Sequence, residues 1–149
     1  MNRCFAIRSA GPADFDAVVA LLTAARLPVQ GLSSTLPGAL VAVAPDGRLA
    51  GCVALEFYGP AALLRSLAVA SERRGQGLGE RLTAEALRLA AATGASDVYL
   101  LTETAAGFFP RFGFVREERS QAPAPIQDSV EFRSVCPSTA ILMHAAAPA

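Results

Sequence analysis

The stretch Arg73-Arg74-Gly75-Gln76-Gly77-Leu78-Gly79 sets two guanidinium groups beside three glycines at alternate positions. Glycines at that spacing let the main chain turn sharply and come close to a ligand, and the arginines add positive charge, so the pattern suits a phosphate-bearing anion. Two carboxylates stand on otherwise apolar runs, Glu56 near the end of Arg48 to Phe57 and Glu103 just after Asp97 to Thr102. Burial raises the pKa of such a group towards neutrality, where it serves as a base. Glu103 is the stronger candidate, because it closes a strand beside Thr102 at the end where open α/β sheets present their sites. The bland alternatives are a helix N-terminal charge for Glu103 and a strand-end residue facing water for Glu56. Arg65, with Ser66 beside it, interrupts a further apolar run, and arginine is rare there unless paired. It reads either as an ion pair with a carboxylate such as Glu103 or as an anchor for an anionic substrate. Arg133 and Ser134, in a loop near the end, offer a second anion contact.

These side chains need a strand, a loop and a helix to position them. Leu63, Leu64, Leu67 and Val69 form a β-like run, and Leu78, Leu82, Ala86 and Leu89 repeat at helical spacing beyond the glycines. The first N–H groups of that helix lack intrahelical acceptors and carry the positive end of its dipole, which completes an anion cradle. The loop lacks the Gly-Lys-Ser/Thr ending of a nucleotide P-loop, which argues against ATP. Its third glycine follows the second by two residues instead of three, and Asp97 begins the next strand instead of ending it, which argues against a dinucleotide.

The rest of the chain reads as alternating short elements. Arg3 to Arg8 is a first strand, and Pro12 opens a helix with Phe15, Val18, Val19, Leu22 and Ala25 on its apolar face. Pro28 to Pro37 is irregular and offers the hydroxyls of Ser33, Ser34 and Thr35. Ala39 to Ala44 and Arg48 to Phe57 form a hairpin about Pro45-Asp46-Gly47. Thr93-Gly94 caps the long helix and Asp97 to Thr102 is a buried strand. A short helix over Thr104 to Arg111, a strand from Phe114 towards Glu117, a proline-interrupted loop from Gln121 and a last strand over Thr139 to His144 complete it.

Composition narrows the functional classes. A length of 149 residues with 52% hydrophobic content predicts one domain with a proper core. Thirteen basic and thirteen acidic side chains balance, which leaves no electrostatic footprint for nucleic acid or a membrane surface and points to a small-molecule partner. No apolar run approaches a membrane span, and Met1-Asn2-Arg3 leads into strand-like sequence instead of a signal peptide's apolar core, so the expected location is the cytoplasm. Cys4, Cys52 and Cys136 show neither disulfide nor zinc spacing, so no metal is expected. His144, the one histidine, reads as packed or exposed and not as catalytic.

Arg74-Gly75-Gln76-Gly77-Leu78-Gly79 resembles the Arg/Gln-x-x-Gly-x-Gly/Ala signature of the GNAT family of N-acetyltransferases, and Leu67-Ala68-Val69 resembles that family's central strand. The resemblance continues in Thr102, Ala105, Phe108, Phe109, Gly113 and Phe114, which keep the frame of a further family motif. It implies a single α/β domain, with a mixed, mainly antiparallel sheet splayed near its centre and flanked by helices. Acetyl-CoA would lie in the splay, its pyrophosphate on Arg74 to Gly79 and its pantetheine arm along Leu67, Ala68 and Val69, where a main-chain N–H would receive the oxyanion. Two letters depart from the pattern: Thr102 replaces an asparagine that contacts the pantetheine arm, and Phe109 replaces a tyrosine that protonates the departing thiolate. A phenyl ring donates no proton, but a thiolate with a pKa of roughly 8–9 is able to leave unprotonated.

Leu64 to Val69, Leu100 to Phe108 and Glu131-Phe-Arg-Ser-Val-Cys136-Pro resemble more closely the small N-acetyltransferases of bacterial arsenic-resistance operons. This resemblance implies direct attack of a small amine on acetyl-CoA, with Glu103 or Glu56 taking the proton through water. An amino-acid-like organoarsenical is a candidate acceptor, its anionic groups met by Arg65, Ser66, Arg133 and Ser134. Dimers are common among similar enzymes, so a homodimer falls within expectation. The alternatives are an acetyl-CoA-binding module without turnover and a thiol-based arsenical-binding protein centred on Cys136.

Overall fold

The computed structural model describes residues 5–135 and 139–148, with the main chain only at 34, 35, 134 and 135. Cys4 and Cys136 lie outside the described residues. Four strands, β1 (Ala6–Ser9), β2 (Ala39–Val43), β3 (Leu49–Tyr58) and β4 (Ala61–Val69), pair antiparallel in sequence order. β3 and β4 are buried over most of their length, as expected of near-continuous apolar strands covered on both faces. β5 (Asp97–Thr102) lies parallel to β4, and β7 (Ile141–Ala146) returns antiparallel between β5 and β6 (Val115–Glu117). The sheet has seven strands in the order β1-β2-β3-β4-β5-β7-β6.

Alternation along the strands decides which helix covers which face. Val18 and Leu22 of α1 (Phe15–Ala24) cluster with Val41, Cys52 and Ala68, with Leu32 of the short α2 (Leu32–Thr35) beside them. The neighbouring strand residues Ala42 and Val53 turn to the opposite face, where Leu78, Leu82, Ala86 and Ala90 of α3 (Leu78–Ala92) pack. Leu82 is fully buried, and its truncation to alanine costs about 2–5 kcal/mol. A Cβ on Gly51 would meet Leu82 at 2.9 Å, so that glycine is what lets α3 settle on β3. Ile126 of α4 (Ala124–Gln127) joins Leu63, Tyr99 and Leu142 in a third cluster beneath the other half of the sheet.

The expected order of elements is present, with local differences. The segment expected as a helix over Thr104 to Arg111 is a bend followed by a 3-10 turn, Phe109–Phe112, because Pro110 supplies no N–H and Gly113 leaves the helix at φ 89°. The tail read as loop contains α4 and a five-residue π-helical turn, Glu131–Val135. The last strand starts two residues later than Thr139, and the first spans Ala6–Ser9. Among the described residues no helix is long and apolar enough to cross a membrane.

Candidate active site

The parallel pairing of β4 with β5 covers only Ala61 to Leu63 against Asp97 to Tyr99. Beyond Leu63 the strands part, and Leu64–Val69 and Leu100–Thr102 become two walls of a cleft of about 1290 Å³. Residues 25–30, between α1 and α2, and Phe108 and Phe109 close it further, while Arg74 and Gly79 line it beyond Val69. From here on, the edge of β4 that faced β5 carries main-chain N–H and C=O groups without a strand partner among the described residues, an arrangement suited to an extended ligand.

A β-bulge shapes the same strand. Cys52 pairs with Ala68 and Ala54 with Arg65, so Ser66 and Leu67 together oppose Val53. Ser66 takes a left-handed φ of 62°, and its carbonyl accepts the Cys52 thiol at 3.3 Å. Burial pushes that thiol up to about 12, which keeps it protonated and inert. Bulges next to active sites re-aim side chains, and this one sets Arg65 and Ser66 on the cleft wall.

At the other end of β4 the loop has the expected form. Gly75 and Gly77 adopt φ of 81° and 78°, which disfavour other residues, and Gly77 caps α3. Among the described residues no main-chain or side-chain acceptor meets the N–H groups from Gly75 to Gly79; the first helical bond is donated by Arg81 to Gly77. Arg74 is tied back to β4 by its Nε, 3.2 Å from the Val69 carbonyl. Those free donors and the α3 dipole make an anion seat at the mouth of the cleft.

The Arg65 end is a buried cluster of charge. The Arg65 side chain is wholly buried; its Nη1 lies 2.9 Å from Glu56 Oε2 and its Nη2 donates to the Gln30 carbonyl at 2.8 Å. Its Nε donates to Ser66 Oγ at 3.0 Å and stands 3.3 Å from Glu131 Oε2. Tyr58 donates its hydroxyl to Glu56, and burial together with that carboxylate raises the phenol's pKa. Burial pushes the Glu131 carboxyl up to about 7, against the pull of Arg65 and with a further push from Glu56.

The structure therefore sorts the expected site residues. Leu67, Ala68, Val69, Arg74, Gly79, Thr102, Phe109, Arg65, Ser66 and Glu103 line the cleft. Gly75, Gln76 and Gly77 are exposed in the adjoining loop, while the Leu78 side chain goes into the core and only its main chain remains at the loop. Glu56 is not part of the lining and is taken up by Arg65 and Tyr58. Arg65 pairs with Glu56 and Glu131, not with Glu103. Arg133 is exposed, 3.9 Å from Asp128 and outside the lining, and the Ser134 side chain lies outside the described residues. Glu103 is exposed on the rim and accepts from Thr139 Oγ1 at 3.2 Å. Thr102 Oγ1 accepts the Ala105 N–H at 3.0 Å, which fixes the turn after β5. Phe109 is buried edge-on against Phe108 and Phe114, at ring separations of 5.1 and 5.6 Å. Sequence reasoning missed Glu131, Tyr58 and Arg26: no spacing relates positions 56, 65 and 131, which meet only through the sheet and the turn before β7.

A family model described as an acetyltransferase (GNAT) domain matches residues 37–116, more than half of the chain. The chain belongs to the GNAT acetyltransferase family. The matched span of this GNAT chain runs from the turn before β2 to β6 and holds both cleft walls and the glycine loop. An uncharacterized N-acetyltransferase of Chlorobaculum tepidum is 37% identical over 81 residues, 54% of this chain and 52% of the relative, so the chain matches about half of that protein's length. Among solved structures, N-acetylglutamate synthase from Neisseria gonorrhoeae, complexed with coenzyme A and N-acetyl-glutamate, superposes with a TM-score of 0.84 at 20% identity. That match covers 100% of this chain and 36% of the synthase. A Mycobacterium tuberculosis protein solved in complex with CoA gives 0.80 at 23% identity, over 95% of this chain and 98% of that one. These likenesses establish the fold, a seven-stranded, mostly antiparallel open sheet flanked by helices, as expected from the sequence.

Proposed function

We propose that this GNAT domain is an acetyl-CoA-dependent N-acetyltransferase acting on a small amine. The observation that carries the reading is the parting of β4 from β5 directly beside the glycine loop, which gives one ligand both a strand edge and an anion seat. The pyrophosphate of acetyl-CoA sits on the N–H groups of Gly75 to Gly79 with Arg74 alongside, and the pantetheine arm runs along Leu67, Ala68 and Val69 as a strand would. The thioester then reaches the bulge at Ser66 and Leu67, roughly 10 Å from Val69 at the strand rise per residue, where a main-chain N–H at Leu67 to Val69 receives the developing oxyanion.

The amine attacks the thioester carbonyl directly, with no enzyme-bound acyl group. Glu103, exposed on the rim, passes protons to bulk water. Glu56 holds Arg65 and does not reach the acceptor. Phe109 offers no proton to the sulfur, so the thiolate departs as such or is protonated by the incoming amine.

An amino-acid-like acceptor, organoarsenical amino acids included, is the finer reading. Arg65 is already neutralised and Arg133 stands outside the lining, so the acceptor's anionic group falls to Arg26. That residue is exposed on the cleft wall, and among the described residues its side chain has no ion-pair partner.

The test is coenzyme A release from acetyl-CoA over a panel of primary amines that includes glutamate-like phosphinic and arsinic amino acids, with Gly77→Glu as control. Turnover that disappears in the control supports the enzyme. Tight acetyl-CoA binding without release on any amine overturns it in favour of a binding module.

A further inference from the structure

Glu131 has no part in the transfer chemistry above. It opens the π-helical turn Glu131–Val135 and is 3% exposed while lining the cleft. Among the described residues its carboxylate has Arg65 Nε at 3.3 Å and no hydrogen-bond donor besides. Arg65 itself is divided among Glu56, Ser66 and the Gln30 carbonyl. One guanidinium thus faces two carboxylates, and the fully ionised cluster is one positive charge short of neutral in a space where an unbalanced charge is costly. That deficit is what an incoming ammonium supplies.

On the reading of the cleft as an N-acetyltransferase site, we propose that Glu131 receives the acceptor amine, pairing with it as the ammonium and taking the proton that must leave before nitrogen attacks. The ammonium gives one proton to the Glu131 carboxylate. The freed lone pair forms the C–N bond at the thioester carbonyl carbon, the C–S bond breaks with its electron pair on sulfur, and the second N–H proton passes to that thiolate. Glu131 then returns its proton to water, leaving amide, thiol and one released proton. Among the described residues the groups facing Glu131 are Arg65 and Ser66 of β4 and, behind Arg65, Glu56 and Tyr58 of β3; Arg133 and Asp128 lie on the surface. Ionised and neutral forms of Glu131 are both accessible near neutral pH, as a group that accepts and returns a proton requires.

The experiment measures kcat/KM from about pH 6 to 9 for the panel amine of highest turnover, in wild type, Glu131→Gln and Glu131→Asp. In wild type the value levels off above the Glu131 titration, because carboxylate and ammonium are the pairing forms up to the pKa of an alkylamine, about 10. Glu131→Gln must capture the scarce free amine, so kcat/KM at neutral pH falls about 100-fold and climbs about tenfold per pH unit. Glu131→Asp restores part of the level region, and acetyl-CoA affinity by calorimetry stays within about twofold in both. A Gln variant within about threefold of wild type, with the same pH profile, overturns the proposal.

If wild type acetylates no amine, the transferase reading fails by itself and the Glu131 site is tested by carboxyl 13C NMR, its resonance identified by loss in Glu131→Gln. A shift on adding n-butylammonium but not n-pentanol sustains the ammonium site, and no shift overturns it.

Discussion

Arg65 Nη1 and Glu56 Oε2 lie 2.9 Å apart on adjacent strands, diagonally offset in a register that pairs Ala54 with Arg65 and Glu56 with Leu63. The pair closes because diagonal neighbours on one sheet face are within reach of long side chains. It also accounts for both residues: an arginine buried in a central strand and a carboxylate on an apolar run are each other's reason to be there.

Removing the cation alone should therefore be severe. Arg65→Ala leaves the buried Glu131 and the partly buried Glu56 without their cation, Glu56 keeping only the Tyr58 hydroxyl among the described residues, and we expect a loss of about 3–5 kcal/mol in urea unfolding. A triple change, Arg65→Met with Glu56→Gln and Glu131→Gln, is expected to cost much less, because no charge is stranded. A loss below about 1 kcal/mol in Arg65→Ala would contradict the arrangement.

Gly77 separates two reasons for a glycine. Its φ is 78° and no atom stands within 4 Å of a Cβ placed on it, so the protein itself has room for a side chain. Asparagine tolerates this conformation better than alanine. Gly77→Asn is expected to keep its unfolding midpoint closer to wild type than Gly77→Ala, whose strain costs about 1–2 kcal/mol. Both are expected to weaken acetyl-CoA binding at least tenfold by calorimetry, because a phosphate close to the main chain leaves no room for a Cβ. Normal affinity in Gly77→Asn would place the pyrophosphate elsewhere.

Glu103 and Glu131 are expected to differ as rim and interior do. Glu103 is exposed and, among the described residues, held only by Thr139. Glu103→Gln should lower kcat by less than about tenfold, since water replaces an exposed proton carrier. A loss of 100-fold or more would make Glu103 the principal base.

Two carboxyls should shape stability against pH with opposite sign. Hydrogen bonds from Arg8 and from the Gly11 N–H hold Asp14 at about 2, below its ordinary 3.8. Its contribution is present above about pH 4 and lost as the pH falls towards 2. Glu131 is raised to about 7 from 4.5, so the native state retains a proton that the unfolded chain has released, and stability declines as pH rises from about 4.5 to 7. Melting temperature against pH is expected to lose the acid slope in Asp14→Asn and the neutral slope in Glu131→Gln. An unchanged slope in either variant would refute that assignment.

The strand, glycine loop and helix were legible because each rests on local pattern. Apolar alternation, φ-permissive glycines and the helical repeat of Leu78, Leu82 and Ala86 are properties of short stretches, and the family signature is written in them. The hairpin about Pro45-Asp46-Gly47 is local for the same reason. The charge cluster was not legible. Arg65 stood out as an arginine within an apolar run, read either as an anion anchor or as paired with a carboxylate such as Glu103, whereas the β3–β4 register and the turn before β7 bring Glu56 and Glu131 instead. The helix expected over Thr104 to Arg111 gives way to a bend and the 3-10 turn Phe109–Phe112, because Pro110 has no N–H to donate within an α-helix.

The parting of β4 from β5 also bears on how this domain avoids itself. An unpaired strand edge ordinarily recruits another chain and seeds aggregation, so proteins charge, shorten or cover their edges. Here the unpaired edge of Leu64 to Val69 is recessed in the middle of the sheet, in a cleft that β5 and residues 25–30 also line. That slot has room for a slender ligand, whereas the strand of a second molecule would bring neighbours of its own that do not fit. By position alone, the unpaired edge is shielded from the kind of partner that an outer strand would recruit.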